Sequence, residues 1–131
     1  MKKIAIMAAL IAAAVAATPA TSAAPSLSPH TWSTKISGPT PLLKATWRLA
    51  LQTPAYNVTR NGGVVVAGTV RIVGNKVTFH DLAGILACRG ATKINGSYTW
   101  RIQGAKLTFT RVSDSCPGRS GVLSHAFTRI A

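Results

Sequence analysis

Downstream of residue 44 apolar and polar positions alternate with a period of two. Trp47, Leu49 and Leu51 alternate with Thr46, Arg48 and Ala50, the pattern of a strand with one buried face. Thr53-Pro54 stops it, Tyr56 to Arg60 predicts a second short strand, and Asn61-Gly62-Gly63 is a tight-turn signal. Val64 to Val73 is a long β-branched run with Gly68 in its middle, the mark of a bulge or bend. Gly74-Asn75 turns it into Lys76–His80. Nowhere in this region does helical spacing persist for more than two turns.

The pattern then repeats. Gly74-Asn75-Lys76-Val77-Thr78-Phe79 returns thirty residues later as Gly104-Ala105-Lys106-Leu107-Thr108-Phe109. Each copy reads as strand, Gly-containing turn, strand. Two copies argue an antiparallel meander rather than a solenoid, which needs at least about three. Residues 120–129 are expected to supply the last strand, with Leu123 and Phe127 on one face. The sum is an all-β chain of about seven strands in about 85 residues. Such a sheet hides its edges by curling, so an up-and-down barrel or half-barrel is favoured over a sandwich.

The region before Lys44 differs. Residues 24–44 carry Pro25, Pro29, Pro39 and Pro41 among Ser and Thr, and proline removes backbone donors. They are read as an extended arm, with Trp32 and Ile36 docking on a domain that spans 45–131. Residues 1–23 follow the logic of a cleaved export signal: Lys2-Lys3, an apolar run from Ile4 to Ala17, then Thr21-Ser22-Ala23 as a small-x-small processing site. The run is shorter than the roughly 20 apolar residues of a membrane span, so no transmembrane segment is expected. No Cys follows for a lipid anchor. The expected location is therefore periplasmic or secreted.

The charge of the chain is strongly one-sided. Without Lys2 and Lys3, 13 basic residues face Asp81 and Asp114 alone, a net +11 with no Glu anywhere. A glycosidase-type carboxylate pair could only be Asp81 with Asp114, and a carboxylate-rich Ca²⁺ or Mg²⁺ site is excluded. The excess favours anionic polymers or lipid headgroups as partners. Because the basic residues are scattered singly, a surface kept soluble by like charge fits equally, and no specific nucleic-acid site is indicated. The two cysteines of an exported chain predict one disulfide, Cys88–Cys116.

Candidate chemistry is thin. His30, His80 and His125 form no close-spaced pair for a metal, no Ser has a nucleophile motif, and no loop is built to cradle phosphate. The chain is read as non-enzymatic and without cofactor, and as a monomer. The Tyr98/Trp100/Ile102 face and the Leu107/Phe109 face meet across one hairpin, either as core or as the wall of an apolar pocket. Arg111 and His125 share strand parity with apolar neighbours, which would let them point inward at a ligand or lie past the rim. Asp114 and Arg119 are expected to brace the turn that bears Cys116.

Ala45-Thr46-Trp47, the repeated hairpins, Gly96-Ser97-Tyr98-Thr99-Trp100, Asp114-Ser115-Cys116-Pro117-Gly118-Arg119 and His125-Ala126-Phe127-Thr128-Arg129 together resemble small bacterial exported domains of lipocalin-like, or calycin-like, type. The resemblance covers roughly Lys44–Arg129. It implies a ligand-binding barrel whose first-strand Trp47 packs under a late Arg129. Two functions follow as expectations: a binding module for a small, partly apolar ligand at Tyr98, Trp100, Phe109, Arg111 and His125, or a cationic envelope module with a filled barrel that binds polyanionic surfaces.

Overall fold

The computed structural model describes residues 24–131; the expected signal segment, residues 1–23, lies outside them. Eight antiparallel strands close into a barrel in simple sequence order: β1 (His30–Ile36), β2 (Ala45–Gln52), β3 (Ala55–Arg60), β4 (Gly63–Val73), β5 (Lys76–Ala83), β6 (Asn95–Gln103), β7 (Lys106–Ser113) and β8 (Phe127–Arg129), with a short helix α1 (Pro117–Leu123) before β8. The end at which β1 finishes and β2 begins is called the upper end.

Turn chemistry sets the register. Asn61 and Gly62 have φ of 49° and 88°, the two-residue turn that matches the right-handed twist of its strands. The repeated hairpins β4–β5 and β6–β7 turn through Gly74 and Gly104, whose φ values are 59° and 60°. The bend expected at Gly68 is a register shift between Ala67 and Gly68. There the backbone comes so close to the His80 carbonyl and the Tyr56 ring that no Cβ fits.

Two expectations are corrected here. The segment read as an arm contains β1, which pairs along its whole length with β2 and at Trp32 and Ser33 with β8. Its prolines flank the strand and do not interrupt it, and Trp32, Thr34 and Ile36 alternate inward. The last strand is also not 120–129. Pro117 opens α1, which buries Val122 and Leu123, and β8 is only three residues long. A two-turn helix that shows two apolar residues to the core has too little periodicity to be distinguished from a strand by pattern.

The implied pairing of Trp47 with Arg129 is replaced by a neighbour. Arg129 is exposed on β8 and sits opposite Trp32. Arg60 faces Trp47 directly across β2 and β3, with its guanidinium 5.8 Å from the indole centroid. Arg60 also donates to the carbonyls of Leu42, Pro41 and Lys44 and so pins the β1–β2 connection over the upper end.

Inside, the inward positions of every strand converge on one apolar core. Edge-to-face aromatic contacts run from Tyr56 through Phe79 to Tyr98 and Phe109 and on to Phe127, with centroids 5.1–6.2 Å apart. Leu27 plugs the lower end: it is buried, and its carbonyl accepts the Trp32 indole N–H at 3.0 Å. Cys88 and Cys116 form the expected disulfide.

Candidate functional site

Both carboxylates of the described chain lie together under the upper end, and one arginine holds them. Asp81 occupies the inward parity of β5 after Val77 and Phe79, and Asp114 follows β7. Arg119, from the first turns of α1, reaches Asp114 Oδ1 with Nη1 at 3.0 Å and Asp81 Oδ2 with Nη2 at 3.3 Å. Its Nη2 also donates to the Ile94 carbonyl at 2.8 Å. All three side chains are at most 8% exposed. Nothing in the described structure accepts from Arg119 Nε.

The remaining carboxylate lone pairs are filled by donors from the barrel wall. The Tyr56 hydroxyl donates to Asp81 and the Tyr98 hydroxyl to Asp114. The backbone N–H groups of Cys88 and Cys116 donate to Asp81 Oδ2 at 2.7 Å and Asp114 Oδ1 at 2.9 Å. The disulfide therefore ties together the two segments whose amides serve the two acids. Gly96 on β6 completes the fit: a Cβ there would lie 2.5 Å from Asp114 Oδ2 and 2.6 Å from Arg119 Nη1.

Burial first, and then the hydrogen bond to Asp81, pushes the Tyr56 phenol well above its ordinary range; burial and Asp114 do the same for Tyr98. The sign of the linkage follows. Above about pH 10 the unfolded chain releases these two protons while the folded barrel keeps them, so stability falls as pH rises. Each tyrosine contributes about 1.4 kcal/mol per pH unit in that range. Denaturant midpoints measured from pH 9 to 12 are expected to drop steeply, and Tyr56→Phe should flatten the drop by about half.

Beside this cluster the interior is open. A cavity of about 220 Å³ reaches from the Asp81–Arg119 pair to exposed Leu42 and Gly118 at the upper rim. Its walls are Trp47 and Leu49 of β2, Val66 of β4, Phe79 of β5, and Val122 and Leu123 of α1. Apart from Arg119 Nε, the polar side-chain groups it meets, those of Tyr56, Asp81 and Arg119, are engaged with the cluster, so its character is mainly apolar, and the cluster at its base carries two formal negative charges against one positive.

Four of the five residues expected as a ligand site are neighbours on β6 and β7, Tyr98 opposite Arg111 and Trp100 opposite Phe109, but they do not converge on the cavity. Tyr98 is buried and spends its hydroxyl on Asp114. Phe109 packs against Phe79, Tyr98 and Phe127. Trp100 faces a second hollow at the lower end, with Ile72 and residues 24–29. Arg111 is exposed, beyond the stretch of β7 that pairs with β8. His125 lies in the turn between α1 and β8. None of the five lines the cavity. The expected Asp114–Arg119 brace is present, but it is half of a larger unit. Asp81 was findable from its inward parity on β5, since a buried acid demands a partner; Tyr56 and the cavity carried no such signal. Among the described residues no cluster of His, Cys, Asp or Glu could hold a metal, and no helix is long and apolar enough to cross a membrane.

These features define an eight-stranded, antiparallel up-and-down barrel with an internal cavity, compatible with a lipocalin-like fold. Comparison with protein-family models, with curated proteins and with solved structures found no match to the chain.

Proposed function

We propose that the protein is an exported, non-enzymatic binding module that holds a small, neutral, mainly apolar molecule in the cavity beside Asp81 and Arg119. The cavity itself carries this reading. An apolar cavity of about 150 Å³ is enough to bind benzene, so about 220 Å³ suits a molecule somewhat larger. Neutrality follows from the charge beneath it. A ligand carboxylate about 6 Å from the net negative cluster meets roughly 2–3 kcal/mol of repulsion at an effective dielectric near 20. The cationic outer surface offsets little of this, because exposed charges are screened beyond about 8 Å at physiological salt. The disulfide supports a location outside the reducing cytoplasm.

Filling the cavity tests the reading. Val66→Phe with Val122→Phe is expected to weaken binding of naphthalene, followed by Trp47 emission, by roughly tenfold or more, and to raise stability by about 0.5–2 kcal/mol. Undiminished naphthalene binding by the filled variant would contradict it.

A second reading, retention on polyanionic surfaces, is favoured by one observation. Asp81 and Asp114 are both buried, so every exposed charged side chain among the described residues is cationic. This reading does not need the filled barrel first expected with it, and the cavity shows that the barrel is not filled.

A further inference from the structure

The exposed apolar side chains are not spread evenly over this cationic surface. Of the seven large ones among the described residues, Leu42, Val64, Leu82, Ile85 and Val112 belong to the upper half of the barrel, and Val73 and Ile130 lie at the lower end. Ile85, at 86% exposure, is the most prominent. Hydrogen bonds tie together the segments that carry three of the upper residues. The Leu86 N–H donates to the Val65 carbonyl at 3.0 Å, so the segment with Ile85 lies against the start of β4, which carries Val64. Arg60, whose strand partner is Gly63, donates to the Leu42 carbonyl at 3.1 Å, which holds the segment with Leu42 at the same end. Lys35, Lys44, Arg89 and Lys93 are exposed on the connections and strand ends of the same end.

We propose that this upper end is a docking surface for an anionic lipid bilayer, with Ile85, Leu82, Val64 and Leu42 entering the interface and the surrounding lysines and arginines meeting phosphate headgroups. The inference rests on the polyanion reading and narrows it to one partner and one face. A bilayer fits both halves of the pattern: cations near an anionic leaflet are attracted within a Debye length, and apolar side chains gain by leaving water at the acyl boundary. A soluble polyanion would use the charge and gain nothing from Ile85. A second copy of the chain would bring two cationic faces together. The same end carries the mouth of the cavity, so an apolar ligand could pass between bilayer and barrel without crossing water.

The test is cosedimentation with vesicles of equal parts phosphatidylcholine and phosphatidylglycerol, compared with pure phosphatidylcholine. The wild-type chain is expected to bind the anionic vesicles and not the neutral ones. Leu82→Glu with Ile85→Glu should lower binding by roughly tenfold or more, whereas Val73→Glu with Ile130→Glu, the same charge change at the lower end, should lower it less than about threefold. Leu82 and Ile85 do not line the cavity, so naphthalene binding by the first variant reports that it is folded. On a heparin column the two variants should elute together. Equal losses on vesicles would overturn the docking face and leave the polyanion reading standing. So would heparin or nucleic-acid retention without vesicle binding, and retention on neither would overturn both.

Discussion

Arg119→Met is expected to lower the midpoint of thermal unfolding by on the order of 20 °C. The arginine is the only cation that reaches Asp81 and Asp114 in the ion pairs of the described structure. Removing one partner of a buried ion pair costs about 3–5 kcal/mol, because the charge left behind has neither water nor a counter-ion. In a domain of this size each kcal/mol moves the midpoint by about 4–8 °C. Arg119→Lys should recover little, since an ammonium cannot reach both carboxylates and the Ile94 carbonyl in the fixed fork of a guanidinium. Adding Asp81→Asn and Asp114→Asn to Arg119→Met should recover much of the loss, because no orphan charge remains, each amide oxygen can still accept from its cysteine N–H, and each amide NH₂ can donate to the Tyr56 or Tyr98 hydroxyl oxygen. If the triple variant is as unstable as Arg119→Met alone, the loss comes from packing around the arginine stem and not from the buried charges.

Replacing Cys88 and Cys116 by Ser is the second large effect, about 3–4 kcal/mol in the chain-entropy model for a loop of about 29 residues. Differential scanning calorimetry under oxidising conditions measures it. Here the bridge does more than shorten the unfolded chain. It holds together the two segments whose amides serve Asp81 and Asp114. The disulfide and Arg119 therefore stabilise one unit, and their removal should not be additive: the combined variant is expected to lose about 0.5–3 kcal/mol less than the sum of the separate losses. Strict additivity would mean that the acids keep their positions without the bridge.

Where local chemistry decided the structure, the residues announced it. Asn61-Gly62, Gly74 and Gly104 stand where backbone turns need them, and the inward residues of β2 alternate as the sequence pattern predicts. β1 was hidden because its flanking prolines dominate a region where Trp32, Thr34 and Ile36 alternate quietly. α1 was hidden by its length. The site was half legible: Asp114 and Arg119 are five residues apart and could be paired by proximity, whereas Asp81 reaches the same arginine, and Tyr56 reaches Asp81, through barrel closure, a long-range event. The cavity was not legible at all. Whether inward side chains fill a barrel depends on strand tilt and summed volume, and no single residue records either.

The proposed function requires the barrel to hold a neutral apolar molecule above a net negative, arginine-braced base. Two molecules of like shape and different charge test it most directly. Calorimetric titration at neutral pH with acetylnaphthalene and with naphthoate should show acetylnaphthalene bound at least about 30-fold more tightly, from roughly 2–3 kcal/mol of repulsion. Equal or tighter binding of naphthoate would rule out a site selective for neutral molecules.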